Sequence, residues 1–137
     1  MSAPATVAAE VFDKWLQRFA DDLGSGNVGR VVSHFRDDGY LRDILALTWD
    51  FTTFAGPAEI RQGMESVAPR MWPHDLRCPS DRMAPRILRR SGRTVLEAYF
   101  DFDTAIGRGS AFVRLQLDRA DEAFEAYLLE LLSVLLT

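Results

Sequence analysis

The chain has 137 residues, 47% of them hydrophobic and 26% charged, with a formal net charge of −4. That length suits one domain, residues 1–137, with a single sizeable core, and the composition excludes a disordered chain. The negative balance offers no basic field to a phosphate backbone, which argues against a nucleic-acid partner.

The opening residues lack a basic region followed by an apolar run, and no apolar stretch reaches membrane-spanning length. A soluble cytoplasmic protein with no membrane partner is the expectation. Val7, Val11, Phe12, Trp15, Leu16, Phe19 and Leu23 recur at helical spacing, with Asp13, Lys14, Arg18 and Asp21 off that face, so a helix runs to Gly24. After a turn at Gly24, Ser25 and Gly26, Asn27 suits the cap of a second helix with Val28, Val31, Val32 and Phe35 on one stripe. His34, beside that stripe, reads as a helix-end surface histidine. A strand region follows Gly39, and Gly56 and Pro57 restart a helix whose apolar side is Ile60, Met64, Val67 and Met71, disrupted at Pro69.

Residues 69–85 hold Pro69, Pro73, Pro79 and Pro85 with little periodicity, which reads as a long loop of the kind that forms lids and mouths. Trp72 within it is a candidate cavity cap. Arg86, Arg89, Arg90 and Arg93 read as a solvated strand-and-turn surface. Residues 94–103 alternate, with Val95, Glu97, Tyr99, Asp101 and Asp103 on one side and Leu96, Ala98, Phe100 and Phe102 on the other. Residues 110–117 place Ala111, Val113, Leu115 and Leu117 on one face, with Gly107, Arg108 and Gly109 as the hairpin connection. The apolar run 124–136 fits helix or strand on composition alone.

The order of elements predicts an α+β fold, a cone-shaped curved antiparallel sheet wrapped around three N-terminal helices and enclosing a pocket. Residues 36–56, RDDGYLRDILALTWDFTTFAG, sharpen that expectation. Arg42 and Asp43 lead into an apolar run that ends at Trp49 and Asp50. Charges entering such a strand are costly unless they face a cavity, a partner or water. The single cysteine, Cys78, excludes an internal disulfide and reads as an inert, partly buried thiol. No spacing resembles a zinc site, a P-loop, a nucleophile elbow or a dinucleotide fingerprint, so neither metal nor cofactor is expected.

The pattern from Trp15 to Leu23, the glycine–asparagine turn, and above all the block GYLRDILALTWDFTTFAG resemble the SnoaL-like domains of the nuclear transport factor 2-like, ketosteroid-isomerase-like superfamily. The block is most similar to the version that stands ahead of many flavin-containing monooxygenases. The likeness runs through about the first half of the chain and continues more weakly through RGSAFVRL. It implies that the last apolar run is a strand and that the cone hosts acid–base chemistry on hydrophobic small molecules without a cofactor. In the steroid isomerases the base is an aspartate on the first strand, and Asp43 stands at the matching position. Their oxyanion donors, a helix tyrosine and a late-strand aspartate, match Phe19 and Val113 here, so that donor machinery is absent. The arginine and two aspartates of the superfamily's epoxide hydrolases are not clearly reproduced either.

The candidate catalytic residues are therefore Asp43 as base, Glu130 as acid within its run of leucines, Arg42 as an anchor for an anionic or carbonyl oxygen, and Tyr99 as an oxyanion donor. Phe19, Leu41, Trp49, Trp72 and Val113 are the candidate substrate-binding residues. Two functions follow: an isomerase, cyclase or related acid–base enzyme acting on a hydrophobic secondary metabolite, or a non-catalytic small-molecule-binding or partner domain. The apolar residues expected on the outer sheet face predict a homodimer with an apolar centre.

Overall fold

The computed structural model describes residues 3–44, 51–117 and 124–134. Helix α1 (Ala3–Ser25) buries Ala8, Phe12, Trp15, Leu16, Phe19 and Leu23, the face its apolar spacing marks out. Three of its rings form a ladder, Phe12 on Trp15 at 6.2 Å between centroids and Trp15 on Phe19 at 4.8 Å. Gly26, at φ +72°, lets the chain turn out of the helix. Helix α2 (Val28–Val32) is capped as expected, the Asn27 side-chain oxygen accepting the Arg30 N–H at 3.1 Å. It ends three residues before the expected Phe35. The Ser33 hydroxyl donates to the Arg30 carbonyl and competes with the next helical bond. Phe35 instead opens strand β1 (Phe35–Ile44) and sets its ring edge-on to Phe19.

Strand β2 (Phe51–Ala55) returns antiparallel to β1. Gly56, at φ +82°, makes the corner into α3 (Gly56–Glu65), and the Glu59 carboxylate accepts the Ala55 N–H at 2.8 Å to close the helix start. The expected loop over 69–85 is interrupted by a 3-10 turn (Pro69–Met71) and by strand β3 (His74–Arg77). Four residues are too few to show a period, and β3 exists because the far end of β5 offers it a ladder. Strands β4 (Arg86–Arg90), β5 (Arg93–Thr104), β6 (Gly107–Leu117) and β7 (Phe124–Val134) follow. The β5–β6 hairpin turns at Ala105 and Ile106 rather than at residues 107–109, because Thr104 already pairs with Gly107.

The sheet runs β2-β1-β7-β6-β5-β3, with β4 also on β5. It is antiparallel except where β1 and β7 run parallel, so the last strand enters the middle of the sheet beside the first. Backbone partners on both sides settle β7 as a strand where composition left helix open. The helices cover one face, against Leu41, Leu96, Ala98, Phe100, Phe102, Ala111, Val113, Leu115 and Leu129. This is the α+β cone that the sequence predicts. No described helix is both long and apolar enough to cross a membrane.

Trp72 is 2% exposed, and its indole N–H donates to the Val67 carbonyl at 3.0 Å and the Met64 carbonyl at 3.3 Å. It thus fastens the segment after α3 to the end of that helix. Trp72→Phe keeps most of the buried ring and deletes the donor, so unfolding in urea should lose about 1–2 kcal/mol. An unchanged midpoint would assign the anchoring to ring burial alone.

Candidate functional site

The cone encloses an apolar cavity. Phe19 and Leu23 of α1, Leu41 of β1, Phe100 of β5, Leu129 of β7 and Pro73 form much of its wall. Its free space is small, about 10 Å³ in which the centre of a water molecule fits. A single water there would find no polar partner in the lining. Leu23 and Pro73 also line an open cleft of about 430 Å³ beside Trp72 and Gly26. Those two side chains stand between the cavity and the surface.

Asp43 is fully buried. It shares a strand face with Leu41, about 7 Å further along β1, and its cross-strand neighbour is Thr52. The carboxylate therefore stands on the core face, beyond the residues that line the cavity. Phe19 and Leu41 are cavity wall, and Val113 is buried on the same sheet face through its pairing with Ala98. Trp72 lines the outer cleft and is not among the residues lining the cavity. Trp49 lies outside the described residues, and so does the side chain of Glu130. The register sets the Glu130 backbone between Arg42 and Phe112.

Arg42 and Tyr99 do not join this site. Arg42 is exposed, with its Nε at 3.4 Å from the Thr53 hydroxyl, because alternation turns it away from Asp43. Tyr99 was expected to face inward. Ala98 and Phe100 on either side of it occupy the core face, so Tyr99 points outward, against Phe112 and beneath the Arg82 guanidinium at 4.5 Å.

Three features escaped the sequence reading. The Trp15 indole N–H is buried and has no hydrogen-bond partner, the only such side-chain atom among the described residues. Its ring stacks on Phe19 of the cavity wall, though Trp15 itself is not among the lining residues. His34 is not a surface histidine. It sits edge-on to Trp15 and Phe19 with Nε2 at 2.6 Å from Asp22. Cys78, by contrast, is exposed rather than partly buried; the desolvation its thiol meets from neighbouring atoms, followed by the charge of Asp13, pushes it up, away from nucleophile chemistry. His74, Asp75 and Asp103 could offer three metal-ligand atoms within 4.8 Å, but the Arg77 guanidinium already sits 3.2 Å from Asp103.

The third feature is Glu97, 2% exposed on the outer face of β5. Arg90 donates to both its oxygens at 3.0 and 3.1 Å, Arg114 at 2.9 Å and Arg86 at 3.3 Å. Arg86 and Arg90, read as solvated surface, in fact converge on a buried carboxylate. With Gln116, Ser110 and Tyr99 beside them, the outward positions of β5 and β6 are largely polar.

No protein-family model matches the chain, and no curated protein shows significant sequence similarity to it. Solved structures share its architecture. A ketosteroid isomerase-like protein from Erwinia carotovora atroseptica superposes with a TM-score of 0.61 at 12% identity, covering 93% of this chain and 96% of that one. ActVI-ORFA from Streptomyces coelicolor gives 0.59 at 15%, covering 90% and 95%. A nuclear transport factor 2-like protein with a cystatin-like fold, from Novosphingobium aromaticivorans, gives 0.61 at 11%, covering 94% and 83%. The fold is that of the nuclear transport factor 2-like, ketosteroid-isomerase-like proteins.

The arginines, Arg90 first, hold the Glu97 carboxyl down at about 2, against an ordinary value of 4.5. Because the folded-state value is the lower one, the stabilisation is complete above about 4.5 and is lost as pH falls toward about 2. Allowing for half-exposed arginines, it is worth ~2 kcal/mol near neutrality. Glu97→Gln should therefore be less stable than wild type at pH 7, and the gap should narrow as unfolding is repeated at steps below pH 4.5. A gap that widens with acid would contradict this reading.

Proposed function

We propose that the chain binds a hydrophobic small molecule in the cone and acts on it by general acid–base chemistry, with Asp43 as the base. The observation that carries this reading is a fully buried aspartate on the same face of β1 as the cavity-wall residue Leu41. A buried carboxylate on the core face, beyond the cavity wall, is suited to taking a proton from a carbon acid once the cavity opens far enough to hold the substrate against it. The resemblance of the first half of the chain to the SnoaL-like domains, and the shared fold with a ketosteroid isomerase-like protein, support the same assignment.

The donor side of the reaction differs from that of the steroid isomerases. Phe19 stands where they place a tyrosine, and Tyr99 faces away. The Trp15 N–H, one helical turn before Phe19, is the donor best suited to a ligand oxygen, because it is already desolvated and gives up no existing bond to engage one. The cavity must open for this, since it holds no more than a water now. Displacement of Leu23 and Pro73 toward the outer cleft would provide the room.

One observation favours the second reading, a binding domain without catalysis. The residues that line the cavity are all apolar, and Asp43 is not among them. The two readings part on proton exchange at carbon. A hydrophobic ketone such as 2-tetralone, incubated with the protein in deuterium oxide, should gain deuterium next to its carbonyl. Asp43→Asn should slow that exchange by roughly 10²- to 10⁴-fold with ligand affinity little changed. A rate within about threefold of wild type would remove Asp43 as base and leave the binding domain. Trp15→Phe should keep the stacked ring and weaken ketone binding by about three- to tenfold, one neutral hydrogen bond's worth, while leaving a hydrocarbon such as naphthalene bound as before.

A further inference from the structure

A second cavity, of about 290 Å³, lies on the outer face of the sheet, lined by Arg90, Ser91, Arg93, Val95, Arg114 and Gln116. Its construction begins in a tight turn. The β4–β5 hairpin closes through Ser91 and Gly92, at φ 51° and 77°, the positive pair that a two-residue hairpin turn of right-handed twist requires. That turn sets Arg90 directly across from Arg93. Like charges opposed on neighbouring strands destabilise a sheet unless something stands between them. Arg114 comes in from β6, opposite Glu97, with its guanidinium over the Phe112 ring at 5.6 Å.

Glu97 accounts for only part of this charge. It faces Arg86, Arg90 and Arg114 with one carboxylate, and Arg93 adds a fourth guanidinium to the group. Asp38, half exposed and 3.9 Å from Arg93, offsets the surplus only partly. Among the described residues of a protein of net charge −4, positive charge is thus concentrated on one small concave surface. The donors are also incompletely used. Arg114 reaches Glu97 through Nε, and Arg93 gives Nη1 to the Gln116 side-chain oxygen at 3.2 Å. Each guanidinium carries five N–H groups, so among the described residues most of those on Arg93 and Arg114 have no protein acceptor.

We propose that this outer pocket is an oxyanion-binding site that takes the carboxylate or phosphoryl group of a small molecule between Arg93 and Arg114, with Arg90 beside them. Glu97 fixes Arg90 and Arg114 in place, so less side-chain entropy is lost when the anion arrives. The planar guanidinium fork suits both oxyanions through paired N–H bonds. The site lies across the sheet from the apolar cavity and stands or falls independently of the acid–base reading.

The test is isothermal titration of the whole chain with inorganic phosphate and, separately, with benzoate, at ionic strength fixed by chloride. One-site saturation in the millimolar range is expected with at least one of them. Phosphate alone assigns a phosphoryl ligand, benzoate alone a carboxylate. Arg93→Gln should weaken binding about tenfold or more. Arg61→Gln, which removes an exposed α3 arginine paired with Glu65, should bind as wild type. Arg114→Gln should match Arg93→Gln, and circular dichroism checks each fold. Should loss of a Glu97 partner unfold the Arg114 variant, Arg93→Gln still decides, since it leaves the Glu97 cluster intact. The proposal is overturned if neither anion saturates by about 100 mM, if Arg93→Gln binds as wild type, or if Arg61→Gln loses as much affinity as Arg93→Gln.

Discussion

Strand β5 is pressed from both sides. Val95, Leu96, Glu97 and Ala98 are all buried, although successive residues point to opposite faces of the sheet. On the helix side, Leu96, Ala98, Phe100 and Phe102 form an apolar floor against α1. On the far side, Glu97 is covered by arginines from β4 and β6. The enclosed cavity and the arginine pocket both follow from this two-sided burial. A strand with one wet face would leave Glu97 solvated and its arginines dispersed.

The apolar side is built from rings. The ladder of Phe12, Trp15 and Phe19 continues through Phe35 on β1 and Phe100 on β5, which packs against Phe12 at 6.5 Å. Rings of this size fill space efficiently but cannot follow a curved sheet without gaps, and the cavity lies where Phe19, Phe35 and Phe100 leave one. The same crowding explains the orphaned Trp15 N–H. Stacked between Phe12 and Phe19, the indole gains contact area on both faces while its polar edge meets no acceptor. Leaving a buried donor unmet costs about 1–3 kcal/mol, and a ligand oxygen that met it would recover part of that.

Much of this was legible in the residues. The helical stripe of α1, the Asn27 cap, and the alternation of β5 and β6 each rest on a local signal that tertiary context did not override. The strand character of β7 was not local. AYLLELLSVLL satisfies either period, and only the neighbours that β1 and β6 provide decide it. Tyr99 shows a different limit. Alternation separated its face from that of Phe100 and Phe102 without stating which face the helices would cover. The larger apolar content of the Leu96, Ala98, Phe100 and Phe102 face was the signal to follow. For the arginines, the sequence showed a cluster but not its centre, because Glu97 and Arg114 are 17 positions apart and meet only across the β5–β6 ladder.

The placement of Asp43 depends on register more than on its own chemistry. Between Phe35 and Tyr40, β1 takes five steps while β7 takes two, from Ala126 to Leu128. The extra length forms a bulge, and within it Arg36 and Asp38 make an ion pair at 3.0 Å. Beyond it the β1–β2 pairing is regular from Tyr40 opposite Ala55 to Ile44 opposite Phe51, pinned by the left-handed corner at Gly56. A slip of one residue would turn Arg42 into the core and carry Leu41 and Asp43 to the surface, exchanging a buried leucine and aspartate for a buried arginine. Leu41 opposes such a slip, since its side chain is cavity wall and its cross-strand partner Phe54 packs against α3 at Gly63. The hydrophobic fit of one residue thus fixes the position of the carboxylate two places along, at a cost in burial that the strand could not otherwise sustain.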